Sequence, residues 1–503
     1  MNPLKSVFED TLKSIGKARE SSHPSIAPRE IGTITAVAPE IVRAEGLLGI
    51  GFEELVQFPN GLLGFAFNVD EKDLGIVLLG DGSHLKVGDE IARTGRVMDI
   101  PVGTGLIGRV INPLGAPLDG KGLVAHEARL PIERPAPAIM ERAPVEVPLQ
   151  TGVKVVDALV PIGRGQRELI LGDRKTGKTA LAIDTIINQR HQNVICIYCA
   201  ICQRASSVAK TIRLLQDSGA MDYTVVMATD GNDPPGLNYI APYAATSIGE
   251  YFMEQGRDVL VVYDDLIQHA REHREISLLL KRPPGRSAFP GDVFYIHSRL
   301  LERATNLKPE LGGGSLTALP LIETQAQNIS AYISTNLISI TDGQIYMSPT
   351  LFELGVLPAV DVNKSVSRVG GKAQLPAYRE IAGRLKLAYA QFGELEEFVR
   401  FGAHLEEQSL HIIEHGRRIR ACLKQDELHP VPVFEQVMLL MALTAGLFDP
   451  IPLEKMVDAE QAVYGALTRI ARNIQASFSQ SGTLDDSAKK TIVEAIKRTL
   501  ASI

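Results

Sequence analysis

Residues 167–190 read RELILGDRKTGKTALAIDTIINQR. The apolar run Leu169-Ile170-Leu171 leads into Gly172-Asp173-Arg174-Lys175-Thr176-Gly177-Lys178-Thr179, and a helical pattern follows at once. A G-x4-G-K-T loop that leaves a strand and opens a helix is a phosphate cradle. Its glycines let backbone N–H groups close around phosphate oxygens, and the helix N-terminus adds positive potential. Lys178 reaches the outer phosphates, and Thr179 is suited to ligate magnesium. The stretch predicts bound ATP or ADP with Mg2+, held by Gly172, Asp173, Arg174, Lys175, Thr176, Gly177, Lys178 and Thr179. A chance glycine-rich turn is the bland alternative, and correct flanks on both sides weigh against it.

Working outward, apolar strands alternate with amphipathic helices: VICIYCAI at 194–201, YTVVMAT at 223–229 and DVLVVYDD at 258–265. Strand, helix, strand in succession predicts a parallel α/β sheet with helices on both faces, a RecA-like P-loop domain over 96–375. Its leading part, PVGTGLIGRVINPLGAPLDGKG at 101–122 and ERPAPAIMERAPVEVP at 133–148, is too rich in apolar residues for disorder and reads as an ordered connection. Upstream, short Val/Ile/Leu runs such as IGTITAV, LVQF, GFAFNV and GIVLLG are punctuated by Asn60-Gly61 and Gly80-Asp81-Gly82. They predict a small closed β-barrel over 28–95. Residues 1–27 carry Leu4, Val7, Phe8, Leu12 and Ile15 on one face of an expected N-terminal helix. Beyond 376 the period becomes helical, with Ile381, Leu385, Ala388, Phe392 and Leu395 on one stripe and loops at LHPVP, FDPIP and QSGTLDD. A C-terminal helical bundle is expected over 376–503.

A phosphate loop needs a second carboxylate, at the end of a neighbouring strand, to hold the metal through water. Asp264 ends DVLVVYD and is favoured for that role over Asp265. Two acids after a buried strand are, taken alone, more often helix caps. Hydrolysis also needs a group that polarises the attacking water, and the strand after the P-loop helix ends Ile201-Cys202-Gln203. An amide orients water but takes no proton, and loss of a general base costs about 10²- to 10⁴-fold in rate. The domain reads as built to hold nucleotide and poor at cleaving it.

The spacing of Cys196, Cys199 and Cys202 invites a metal reading. A buried strand alternates its faces, so Cys199 is expected to point away from the other two, and three ligands cannot converge. Composition excludes more. Among 503 residues, 45% hydrophobic and 22% charged is ordinary for a globular chain, and no apolar run approaches a membrane span. The net charge of −7, with no long single-sign block, weighs against a nucleic-acid reading, since counterion release rewards a basic face. The start, with Glu9, Asp10 and Glu20 and no apolar core, gives no expectation of a targeting peptide.

Longer strings carry a resemblance. PIGRGQRELILGDRKTGKTALAIDTIINQR (161–190), RPPGRSAFPGDVFYIHSRLLERA (282–304), GSLTALPLIETQ (314–325), NLISITDGQIYMSP (336–349) and SVSRVGGKAQ (365–374) resemble the alpha subunits of F-type ATP synthases, and the likeness covers 28–503. The resemblance implies three alpha and three beta subunits alternating around a gamma central stalk. It also implies contact with the peripheral stalk through the N-terminal helix, and a place at the cytoplasmic face of a bacterial membrane, reached only through the complex. The chain itself would be non-catalytic, since the family carries glutamine at the position of Gln203 where beta subunits have their catalytic glutamate. The resemblance further implies that Arg368 is an arginine finger lent to the adjacent beta site, with Ser339 and Ser365 at the same interface. Without it, Arg368 reads as a surface loop residue and the two serines as hydroxyls satisfying loop backbone. Phe352 and Gln425 match the adenine side of the pocket. Three positions depart from the family: Lys175 for glutamine, Leu357 for arginine and Glu427 for glutamine, and these resemble the alternate, sodium-associated bacterial branch. The coupling ion, proton or sodium, stays open.

Two other classes compete. A Rho-type RNA helicase shares a barrel and a P-loop core, but it calls for basic and aromatic residues and has no place for the helical domain. A self-sufficient secretion-type ATPase needs an acid at 203.

Overall fold

The computed structural model describes residues 30–70, 73–400, 407–466, 470 and 472–501. The helix expected over 1–27 lies outside them. Six strands come first: β1 (Ile31–Val37), β2 (Ile41–Glu45), β3 (Glu54–Gln57), β4 (Leu63–Val69), β5 (Leu74–Leu78) and β6 (Glu90–Val97). They close into a barrel in the order β1-β2-β5-β4-β3-β6. The Asn60-Gly61 turn between β3 and β4 has both residues at positive φ, 63° and 80°. The run GFAF is apolar at every position because β4 is covered twice. Ala66 points into the barrel with Val42, Val56 and Ile76, while Phe65 and Phe67 face the next domain.

The connection that follows is ordered. β7 (Asp99–Val102) pairs with β9 (Ala128–Pro131), and β8 (Val110–Ile111) adds an edge strand to the large sheet. The central domain then runs α1 (Lys154–Leu159), β10 (Glu168–Asp173), α2 (Lys178–Ile187), β11 (Val194–Gln203), α3 (Ala205–Asp217), β12 (Thr224–Asp230) and α4 (Pro235–Glu254). It continues with β13 (Asp258–Asp264), α5 (Leu266–Leu279), α6 (Val293–Leu301), β14 (Ser315–Thr324), α7 (Tyr332–Ile340), β15 (Gly343–Met347), α8 (Pro349–Glu353) and β16 (Val366–Ser367). The eight-stranded sheet is ordered β16-β15-β10-β14-β13-β11-β12-β8. All pairs are parallel except β15 with β16. Both faces are covered, so β10 sends Ile170 into one apolar cluster and Leu169 and Leu171 into the other.

The cluster that takes Ile170 continues into the C-terminal helices through Leu385, Phe392, Ile419, Val437 and Ile492. Those helices are α9 (Pro376–Arg400), α10 (Glu407–Leu423), α11 (Val433–Thr444), α12 (Met456–Ala466), α13 (Arg472–Ser481) and α14 (Asp486–Leu500). Asp485 caps α14 by accepting from the Ala488 N–H at 2.6 Å. Among the described residues no helix is long and apolar enough to cross a membrane.

The alternation expected for the cysteines holds for two of them and fails at the third. Cys196 and Cys199 lie in opposite clusters, but Cys202 packs on the side of Cys199, next to Ile201. The reason is a bulge. Against β12 the register steps three residues from Ala200 to Gln203 while the partner steps two, from Ala228 to Asp230, and Cys202 takes φ 53°. Burial pushes the thiols of Cys196 and Cys199 well up and that of Cys202 up to about 12, so all three are protonated, apolar-leaning groups.

Candidate functional site

The phosphate loop sits at the C-terminal edge of the sheet, where parallel strands end and helices begin. Gly172 must lack a side chain, since a Cβ there would lie 2.5 Å from the Met347 carbonyl oxygen on β15. Lys175 (φ 64°) and Gly177 (φ 95°) turn the loop into α2, and Arg174 and Lys175 stand exposed at its tip. Asp173 is an anchor: its carboxylate accepts from the Thr324 hydroxyl (2.6 Å) and the Gln327 N–H (3.0 Å), tying the loop to β14. Thr176 donates to the Asp173 carbonyl at 2.8 Å. The Lys178 ammonium donates to the carbonyls of Gly172 (2.8 Å) and Asp173 (2.7 Å). Burial lowers its pKa, and the charges of Glu323, Asp265, Asp264 and Asp173 oppose that.

Asp264 is where the metal-side residues meet. Its Oδ2 accepts from the Thr179 hydroxyl (2.9 Å) and from the Tyr198 hydroxyl (2.8 Å). Gln203, turned by the bulge in β11, brings its amide nitrogen within 3.2 Å of the Asp264 carbonyl and 3.3 Å of its Oδ1. Burial raises the Asp264 carboxyl, and hydrogen bonds from Tyr198 and Thr179 hold it down. Asp265 is raised by burial and by Asp264, and its side chain accepts from the Gln268 N–H at 2.8 Å, capping α5. The two readings of the acid pair are thus divided between its members: Asp264 faces the loop, Asp265 is the cap.

Two residues here were not anticipated. Tyr198 is the one polar ring in VICIYCAI. Glu323, the penultimate residue of β14, lies beside Gly172 in register, between the loop strand and the Asp264 strand. An acid closing a buried strand was the same signal that singled out Asp264.

The adenine-side candidates are joined by backbone. Gln425 N–H donates to the Leu357 carbonyl (2.9 Å), its Oε1 accepts from Lys154 N–H (2.9 Å), and its Nε2 donates to the carbonyls of Gly152 and His429 (2.8 Å each). Asp184 on α2 accepts from the Leu428 N–H (2.8 Å), and burial, with the charge of Glu427 adding to it, pushes the Asp184 carboxyl up to about 6. Phe352 on α8 is 39% exposed.

The remaining candidates lie at the other edge. Arg368 follows β16, its N–H bonded to the Asp342 carbonyl at 2.8 Å. Its guanidinium donates to the carbonyls of Thr341 (3.2 Å) and Ile338 (3.4 Å) at the C-terminus of α7, a favourable end for a cation. Ser339, exposed on the same helix end, donates to Asn336 O at 2.6 Å. Ser365 is buried, donating to the Asp361 carbonyl (2.6 Å) and accepting from the Tyr346 N–H (3.0 Å), so its hydroxyl satisfies loop backbone. The register Glu168↔Gly343↔Ser367 sets this group at the start of β10, whereas the phosphate loop leaves its end. Five steps of strand separate them, about 17 Å.

Three family models match the chain. Residues 29–95 match the beta-barrel domain of the ATP synthase alpha/beta family, 152–367 its nucleotide-binding domain and 374–499 its C-terminal domain. The last match covers the helices that a Rho-type helicase cannot accommodate. ATP synthase subunit alpha 2 of Albidiferax ferrireducens is 66% identical over 499 residues, 99% of this chain and 93% of its own length. ATP synthase subunit alpha 1 of Shewanella frigidimarina is 64% identical over 498 residues (99% and 96%), and that of Chlorobium luteolum 62% over 493 (98% and 96%). With a phosphate loop beside an amide in place of a base, and relatives alike from end to end, the chain belongs to the alpha subunits of the rotary F-type ATP synthases, non-catalytic members of a multi-subunit complex.

Proposed function

We propose that this chain grips Mg-ATP or Mg-ADP at Gly172–Thr179 without turning it over efficiently, and lends Arg368 to the catalytic site of an adjacent beta subunit. The observation that carries the reading is the separation of the two groups: about 17 Å of strand lies between the phosphate loop and the start of β10, beside which Arg368 emerges. An exposed guanidinium there cannot reach its own chain's phosphates and is free to serve a neighbour's.

The donor set at the loop fits magnesium. Thr179 and Asp264 offer hard oxygens 2.9 Å apart, and Gln203 adds an amide beside them. When bound, the ion neutralises phosphate charge. The protein's own work is to hold: Lys178 takes the outer phosphates, Thr179 and Asp264 fix the ion side, and Gln203 orients water without accepting its proton. On this reading the chain alternates with beta subunits in an alpha3-beta3 ring around gamma, meets the peripheral stalk through residues 1–27, and reaches the membrane face only within the complex. Whether protons or sodium ions are coupled is decided by measuring the sodium dependence of the assembled enzyme. Leu357 and Glu427 are expected to loosen the grip on base and ribose.

The deciding experiment is Arg368→Ala in the assembled complex. Turnover should fall by about 10³- to 10⁵-fold, the range of arginine fingers elsewhere, while fluorescent ATP still binds the full chain. Unchanged turnover would end the proposal, as would ordinary ATP hydrolysis by the lone chain.

A further inference from the structure

Beneath Arg368 lies a carboxyl that no motif explains. Glu168, the first residue of β10, is 0% exposed. Its Oε2 accepts from the Gln166 amide at 2.6 Å, and its Oε1 has no partner. A buried oxygen left without a partner is costly and calls for an explanation.

The side chain lies over Gly343, the residue in register with both Glu168 and Ser367. A Cβ on Gly343 would sit 2.4 Å from Glu168 Oε2 and 2.3 Å from the Val366 carbonyl oxygen, so the missing side chain makes room for the carboxyl against β16. The Gln166 amide that serves Glu168 also donates to the Ser367 hydroxyl at 3.2 Å. Ser367 in turn donates to the Pro161 carbonyl (2.7 Å) and accepts from the Gly370 N–H (3.1 Å). The residue before the arginine is therefore pinned from below and from both sides. Burial pushes the Glu168 carboxyl well up, with the charge of Asp342 adding to that and the charge of Arg368 opposing it.

Resting on the reading of Arg368 above, we infer that Glu168 is a positioning residue for that arginine, a buried carboxyl that fixes the Val366–Arg368 segment through Gln166 and Ser367. Misplacing a catalytic group by about 1 Å can cost 10²-fold. In the assembled complex Glu168→Ala should lower kcat about 10- to 100-fold, leave KM for Mg-ATP within about threefold, and leave ATP binding to the full chain intact. Glu168→Gln, of the same shape and still offering an oxygen to the Gln166 amide, should restore kcat to within about threefold of wild type. In an Arg368→Lys background Glu168→Ala should cost nothing further, because the group it positions is already lost. Equal losses in both backgrounds, a Gln variant as poor as Ala, or a silent Ala variant would each overturn the inference. If Glu168→Ala does not assemble, Gln166→Met breaks the same link and carries the same cycle. Failure of the function proposal looks different: Arg368→Lys and Arg368→Ala would then themselves leave turnover unchanged.

Discussion

The two ends of β10 are built in contrasting ways. The phosphate end is local: loop, lysine and hydroxyl all fall within Gly172–Thr179, and Asp264 and Gln203 arrive as the ends of nearby strands. The arginine end is assembled from pieces far apart in sequence, with Glu168, Ile338, Thr341 and Arg368 meeting only because β15 and β16 pair beside β10. A site that must bind a small anion can be written in one stretch of backbone. A site proposed to serve a neighbour is carried to an edge and held there by the fold.

The contrast predicts effects that separate. The largest is Arg368→Ala: turnover of the complex down about 10³- to 10⁵-fold with ATP binding to this chain kept, and a parallel loss of both would dissolve the distinction between the ends. Next in size is an effect that should touch neither end. His297 and His269 are fully buried at the junction of α4, α5 and α6, their rings 3.2 Å apart between Nδ1 of His269 and Nε2 of His297. Burial lowers both, His297 to about 3. For His297, between about 3 and the ordinary 6.5 the unfolded chain binds more protons, so its contribution is complete above 6.5 and is lost as pH falls toward 3, and His269 acts in the same direction. Each pH unit in that window costs about 1 kcal/mol for His297. Urea midpoints from pH 7.5 down to 5 should show this slope, and it should be shallower in His297→Gln. An unchanged slope would place the acid sensitivity elsewhere.

Third comes Lys178→Ala, which removes a charge-assisted hydrogen bond of about 1.5–3 kcal/mol and should weaken ATP binding to this chain about 10- to 150-fold. Turnover should suffer far less than from Arg368→Ala, as titration of each variant complex will show. Smallest is Gln203→Ala, expected to change turnover by less than about threefold, because no proton transfer depends on an amide. Damage equal to that of Arg368→Ala would give Gln203 a catalytic part that its chemistry denies it.

The uneven legibility of the two ends has the same cause. The barrel, the parallel sheet, the helical bundle and the phosphate loop follow from periodicity and a contiguous motif, all of them local signals. The approach of Asp264 to Thr179 was readable because strand ends gather at one edge of a parallel sheet. Tyr198 and Glu323 obey the same geometry, but a ring in mid-strand and an acid in LIETQ name no partner until the strand order β10-β14-β13-β11 is known. Arg368 and Glu168 have no local mark at all: one follows a short antiparallel edge strand, the other opens a buried one. The bulge at Cys202 escaped the alternation rule because one extra residue in ten resets the faces.

That bulge also constrains how this pocket could be altered. Three residues of β11 are spent against two of β12, so Gln203 lies opposite Asp230 on the face of Ala200, and removing one position from Ala200–Cys202 would straighten the strand while keeping that side chain on the same side of the sheet. Identity therefore counts for more than length here: an acid installed at 203 would keep its aim with or without the surplus residue.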